Sequence, residues 1–241
     1  SDEMKGKLYL IPVSLGESTT SRYAPALNVE LVSRLSHFVV ESARTARRCI
    51  RALCPKKDLD DLLLLEVDKH KGYSYPRESV MTLLGEGVDV GFMSEAGCPC
   101  VADPGSIVVA DCHRAGFDVV PLVGPSSIIL SLMASGFSGQ SFAFHGYLPF
   151  DGKERRQALG EAAARVRRVG ETQIFIEAPY RNDRLLRELV ELLPSDLSLC
   201  MAVDLTTDQE EIHRMTISEW RKALSRETSW HKRPAIFLIG Q

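Results

Sequence analysis

Long hydrophobic runs are missing from this 241-residue chain: no stretch approaches the roughly 20 apolar residues that a membrane span needs. An excess of positive charge is missing too. Lys and Arg number 29 against 32 Asp and Glu, a net charge of -3, which excludes attachment to nucleic acid by bulk charge but leaves a local basic patch open. The turn after the first strand reads Pro12-Val13-Ser14-Leu15-Gly16-Glu17, without the glycines of a dinucleotide fingerprint. A Walker A sequence and an H-E-x-x-H are also absent, and Gly136-Phe137-Ser138-Gly139 is one residue short of a nucleophile elbow. Nicotinamide, P-loop, hydrolase and zincin chemistries therefore fall away, as does a transferase with a glycine-rich first turn. Cys98-Pro99-Cys100 and Cys112-His113 lack the second close pair of a tetrahedral site, so no metal is expected. With Cys49, Cys54 and Cys200 they read as reduced thiols, and no signal peptide opens the chain, so a cytoplasmic location is expected.

What is present is a globular balance, 44% hydrophobic and 25% charged. Apolar strands at Leu8–Ile11, His37–Val40, Leu62–Val67, Val88–Met93 and Val119–Leu122 alternate with helical stretches. One helix opens with Asn28 as N-cap, and others cover Thr45–Leu53, Arg77–Leu84 and Ser106–Arg114. Continuous apolar strands between helices predict a parallel sheet covered on both faces. After Gly124-Pro125 the style changes. Helices at Ser127–Ala134, Lys153–Arg168 and Asp183–Leu193 are mixed with strands at 142–144, 172–176, 199–203, 211–217 and 235–239. Strands that follow one another without a helix predict mixed pairing. The expectation is two α/β domains, residues 1–123 with a parallel sheet and residues 124–241 with a mixed one.

Ser94-Glu95-Ala96-Gly97-Cys98-Pro99-Cys100-Val101-Ala102-Asp103-Pro104-Gly105 follows the fourth strand, where ligands bind in parallel sheets. Its small residues allow close backbone approach to a ligand. The simpler reading is a turn in which Asp103 is the N-cap and Pro104 the first residue of the next helix. Arg155, Arg156, Arg165, Arg167 and Arg168 form either a solvated helix face over Leu159, Ala162, Ala163 and Val166 or a nucleic-acid patch.

These residues resemble the tetrapyrrole methylase superfamily of S-adenosylmethionine enzymes, and within it the bacterial small-subunit ribosomal RNA cytidine 2'-O-methyltransferases. The family's T-P-I-G-N is matched by the loop at Ile11–Glu17, and E-D-T-R by Glu41-Ser42-Ala43-Arg44. V-S-D-A-G-T-P-x-I-S-D-P-G is similar to Met93–Gly105, G-P-S-A to Gly124-Pro125-Ser126-Ser127, and A-S-G to Ala134-Ser135-Gly136. F-x-F-x-G-F-L-P resembles Phe142–Pro149, and E-S-P-H-R resembles Glu177-Ala178-Pro179-Tyr180-Arg181. The matches run in order along nearly the whole chain. The departures are Val203-Asp204-Leu205-Thr206-Thr207, which lacks both basic residues of R-E-L-T-K, Glu17 for Asn, and Lys69–Tyr75 in place of an H-E-H-N segment.

The resemblance implies S-adenosyl-L-methionine in a cleft between the domains. Its contacts would come from Pro12, Ser94, Glu95, Ala96, Gly97, Cys98, Ser126, Ser127, Glu177, Ala178, Val203 and Pro234. A ribose hydroxyl is a weak nucleophile that benefits from a base, which makes Glu41 and Asp204 candidates, with Arg44 to hold a phosphate. The alternative for Glu41 is a structural ion pair with Arg44. His70 and His145 are weaker candidates for a base, and Lys69, Lys71, Tyr73 and Tyr75 form either a clamp on a nucleobase or a plain loop. RNA or the small ribosomal subunit is the expected partner. The family also implies a homodimer, fed by Ile128–Met133, a segment that packs equally well as a core helix. Two alternatives stay open: methylation of a tetrapyrrole, another small molecule or another RNA, and a cofactor-binding module without turnover.

Overall fold

The structure, a computed structural model, describes residues 4–70, 72–224 and 227–241. Lys71 of the expected clamp lies outside the described residues. The chain forms two compact units, Ser1–Ser126 and Ser127–Gln241.

The first unit is a five-stranded sheet of β1 (Leu8–Leu10), β2 (His37–Val40), β3 (Leu63–Glu66), β4 (Val90–Met93) and β5 (Val119–Pro121). Its order is β3-β2-β4-β1-β5 and every pairing is parallel. Helices α1 (Ala26–Arg34), α2 (Ala43–Leu53), α3 (Arg77–Gly85) and α4 (Ser106–Arg114) make the crossovers. Strand side chains alternate between two cores. Phe38 and Val40 join Val32 and Ile50 in one, while Val39 joins Val80, Val90 and Val108 in the other. A sheet buried on both faces explains why its strands read as unbroken apolar runs.

The second unit opens with α5 (Ser127–Ser135) and builds the sheet β6 (Phe142–Tyr147), β7 (Thr172–Ile176), β8 (Ser198–Val203), β9 (Glu211–Thr216) and β10 (Ala235–Gly240). The order is β6-β7-β10-β8-β9; the first pair is parallel and the others antiparallel, the mixed pairing that the sequence predicts. Its core joins β8 and β10 to α6 (Gly152–Val169), α7 (Asn182–Leu192) and α8 (Ile217–Ala223) through Leu159, Leu185, Leu189, Phe237 and Trp220.

Three local expectations are corrected. Asn28 does not cap α1, which starts after Pro25; it is buried within the helix, where its Nδ2 donates to Val123 O at 2.7 Å. Asp103 is not an N-cap either, because α4 starts at Ser106 with Gly105 before it. The last strand before β10 ends at Thr216, whose hydroxyl accepts from Glu219 N while Glu219 reaches back to Thr216 N, a capping box that starts a helix the apolar alternation had hidden.

Gly160 sits inside α6 with nothing within 4 Å of an added Cβ. Gly160→Ala is therefore expected to stabilise the second unit by about 0.5–1 kcal/mol through helix propensity and unfolded-state entropy. Thermal unfolding of the pair of proteins measures it.

Candidate active site

The carboxyl edge of the parallel sheet carries the loops that the sequence singles out. Val13, after β1, donates its N–H to Gly97 O, after β4, at 3.0 Å. The Cys98 thiol donates to Pro125 O, after β5, at 3.3 Å, so cysteine forms a tie of the kind a threonine hydroxyl provides. Burial pushes that thiol's pKa up, which keeps it a neutral donor. Gly97 has φ +66°, and a Cβ there would meet Leu15 at 2.9 Å. At Gly124 a Cβ would lie 2.0 Å from that of Pro12. Three loops packed this closely admit only very small residues at their crossing. Ser94 is buried and its Oγ donates to Ala96 O at 3.2 Å. The chemistry of this edge, small residues and backbone polar groups, suits a ligand held chiefly by main chain.

Beside these loops lies a cavity of about 350 Å³ lined by Glu41, Lys69, Gly72, Tyr73, Ala102, Asp103 and Pro104. Glu41 follows β2, and its side chain is only 5% exposed. Its Oε2 accepts from Lys69 Nζ at 3.1 Å, and Lys69 also reaches Glu95 at 3.4 Å, so the expected pairing of Glu41 with Arg44 is replaced by one with Lys69. Among the described residues, Glu41 Oε1 and the Tyr73 hydroxyl are buried without a hydrogen-bond partner, and both groups belong to this one cavity. An unpartnered buried polar atom costs about 1–3 kcal/mol, so two in one cavity mark a place made to receive something polar. Burial raises the Glu41 carboxyl pKa against the lowering effect of Lys69. Burial, then the carboxylates of Glu41 and Asp103, raise the Tyr73 phenol, which stays protonated.

Asp103 pins the far wall. Its carboxylate accepts from Cys100 N at 3.1 Å and Gly105 N at 2.8 Å, an Asx-type turn. Between them Cys100 and Ala102 take positive φ, 71° and 61°, a conformation that is strained without a glycine. Burial, then Asp103 and Glu41, push the Cys100 thiol up to about 12, so it is inert as a nucleophile.

In the second unit the carboxylates are already engaged. Asp204 Oδ2 accepts from Arg233 Nε at 2.7 Å, and Arg233 also holds Glu211 at 2.6 Å. This guanidinium supplies a positive charge beside the segment Val203–Thr207, which has no basic residue of its own. The turn around it is strained, with positive φ at Asp204, Thr206 and Lys232. Val203 ends β8, and Pro234 O accepts from Asp204 N at 2.9 Å. Glu177 accepts from Arg155 at 3.2 Å and from Ala178 N at 2.8 Å. Ser127 begins α5. His145 stacks on Phe175 and bonds Gln173, and His70 is exposed.

Sequence reasoning missed Tyr73 as a wall of the Glu41 cavity, grouping it only with a loop clamp. Its position depends on the Asp68–Ser74 bridge, which folds the segment back on itself, and spacing gives no sign of that. Among the described residues, no group of three or more His, Cys, Asp or Glu side chains is placed to hold a metal ion.

The ribosomal RNA small subunit methyltransferase I of Vibrio cholerae is 34% identical over 153 residues, which are 64% of this chain and 52% of that protein. The protein of the same name from Escherichia coli O157:H7 is 27% identical over 241 residues, 99% of this chain and 79% of that one. The chain thus spans about half of the first and four fifths of the second. A uroporphyrin-III-C-methyltransferase from Thermus thermophilus shares the fold at a TM-score of 0.54 and 17% identity, covering 98% of this chain and 94% of that one. A cobalt precorrin-4 methyltransferase does so at 0.60 and 14%, covering 97% and 94%. The profile of the Tetrapyrrole (Corrin/Porphyrin) Methylases matches residues 28–220, and the chain belongs to that family of methyltransferases.

Proposed function

We propose that this protein transfers a methyl group from S-adenosyl-L-methionine to small-subunit ribosomal RNA, at a cytidine ribose 2'-oxygen. The names of the full-length relatives support the substrate. The observation that carries the chemistry is the buried, unpartnered Glu41 oxygen next to the loops at the sheet edge.

Pro12, the backbone of Ser94, Glu95, Ala96, Gly97 and Cys98, and Ser126 would hold the cofactor in the first unit. When bound, S-adenosyl-L-methionine supplies an electrophilic methyl carbon on a sulfonium. The protein's part is positioning and the handling of one proton. Glu41 Oε1 accepts the hydrogen bond of the acceptor hydroxyl, with its charge balanced by Lys69, and Tyr73 orients the same group. Asp204 is the weaker candidate because Arg233 already occupies it. Arg44, exposed on the first turn of α2 and without a carboxylate partner among the described residues, would meet a phosphate.

The tetrapyrrole reading is opposed by charge. Glu41, Glu95 and Asp103 surround or rim the cavity with Lys69 as their one ammonium partner among the described residues, and a polycarboxylate acceptor would be repelled there. A homodimer in the cytoplasm completes the proposal; Ile129 and Met133, exposed on α5, support an interface.

The test is methyl incorporation from labelled S-adenosyl-L-methionine into unmodified small ribosomal subunits, free RNA and porphyrinogens. Label recovered as 2'-O-methylcytidine is expected. Label in porphyrinogen alone, or in none of the three, would overturn the reading.

A further inference from the structure

Two helices of this acidic protein are rich in arginine, and they differ in how many of those charges are paired. On α6, Arg155 is buried against Glu177 and Glu188, Arg165 pairs with Glu171 and Arg167 with Asp196. Three of the five arginines of that helix are thus neutralised inside their own unit, while Arg156 and Arg168 are exposed and without a carboxylate partner among the described residues. On α2, Arg44, Arg47, Arg48 and Arg51 are all exposed, and among the described residues none has a carboxylate partner. Their spacing places all four within an arc of about 100°. The opposite face, Ala46, Ile50 and Leu53, is buried in the core. The helix contains no acidic residue, and Glu66, the carboxylate at its N-terminus, accepts from Ala43 N rather than from an arginine.

Four like charges side by side repel one another, and among the described residues no carboxylate is paired with any of them. We propose that this face of α2 binds the phosphodiester backbone of the RNA acceptor, with Arg44 at the end nearest Glu41 and Arg47, Arg48 and Arg51 continuing along the strand. The inference rests on the RNA reading above and adds the surface that engages it. Guanidinium groups suit this role because each presents a fork of donors to phosphate oxygens. Positive charge concentrated on one helix also reconciles RNA binding with a net charge of -3.

The experiment is fluorescence anisotropy of a labelled single-stranded RNA of small-subunit sequence, with the full chain, without cofactor, over a range of potassium chloride. Each phosphate contact contributes about 0.7 to the slope of log affinity against log salt for a single strand. The triple variant Arg47→Ala, Arg48→Ala, Arg51→Ala is expected to flatten that slope by about 2 and to weaken binding at low salt. Arg156→Ala with Arg168→Ala on α6 is expected to change neither. Lysine at the three α2 positions is expected to restore most of the slope. Alanine is favoured at exposed helix positions, and thermal unfolding checks that the variants are folded.

An unchanged slope in the alanine triple variant, or an equal loss from the α6 pair, overturns the proposal. So does a variant that loses binding to phosphatidylserine vesicles but keeps its RNA affinity, which would assign the face to a membrane surface. Binding needs no turnover. Failed methyl incorporation with intact, α2-dependent RNA binding would therefore count against the reaction and not against this surface.

Discussion

Gly124→Ala is expected to abolish binding of S-adenosylhomocysteine and to destabilise the first unit by about 2–3 kcal/mol. The added methyl carbon would lie 2.0 Å from Pro12 Cβ and 2.3 Å from its Cγ. A proline ring cannot swing aside as a flexible side chain would, so one of the two loops has to move. The segment before Gly124 is held by Asn28 through Val123 O, and the one after it by the Cys98 thiol through Pro125 O. The strain therefore falls on Pro12 and passes to Val13, whose N–H bonds Gly97 O. Every loop proposed to hold the cofactor in this unit is displaced together. Gly139→Ala is the control, since nothing lies within 4 Å of its added carbon. Calorimetric titration and thermal unfolding measure both effects. Undiminished binding by the Gly124 variant, with an unchanged melting temperature, would remove these loops from the cofactor's site.

The architecture was readable because buried parallel strands leave a strong mark on a sequence. Phe38, Val39 and Val40 face two different cores in turn, so none of them is free to be polar. Helix ends were less legible where tertiary contacts overrode local preference. Asn28 looks like a cap because asparagine usually is one. Here its amide serves Val123, 95 residues away, a contact no local pattern encodes. Thr216 and Glu219 did carry a readable capping box, but the alternation of Glu211–Ile217 masked it.

The candidate site was legible only in part, and for a physical reason. The loop from Ser94 to Cys98 shows itself by small residues, since close approach leaves no room for others. The polar cavity does not show itself, because what makes it a site is a missing partner, and that exists only in three dimensions. Glu41 has the same sequence signature whether it pairs with Arg44 or turns towards Lys69 and leaves one oxygen empty. Asp103 could equally cap a helix or pin a strained loop, and positive φ at Cys100 and Ala102 is what separates the two. The arginines pose the same problem in reverse. Five on α6 draw the eye, but three of them are paired, whereas among the described residues none of the four on α2 has a carboxylate partner.

Glu41→Gln is expected to lower methyl transfer by about 10²–10³-fold, in the range that loss of a positioned proton acceptor produces. It is also expected to leave the melting temperature at neutral pH unchanged or higher. The two effects have opposite signs for one reason. Burial raises the carboxyl pKa of folded Glu41 above its unfolded value, so the folded state binds the proton more tightly. The stability this contributes is fully present below the unfolded carboxylate range and is lost as pH rises through the raised folded value. At neutral pH the ionised group is thus a burden on the fold, and glutamine removes it. Lys69 loses one partner but keeps Glu95, and its side chain, 45% exposed, stays hydrated. The stability gap between the two proteins should narrow as pH falls towards the carboxylate range. In wild type, methyl transfer should fall on the acid side as Glu41 takes up its proton, and the variant should lack that limb. Rate–pH profiles and melting curves of both proteins decide it. A variant that loses activity and stability together would make Glu41 a structural ion-pair residue. Loss of activity alone, with the acid limb gone, would leave a group the protein keeps charged and buried because the reaction needs it there.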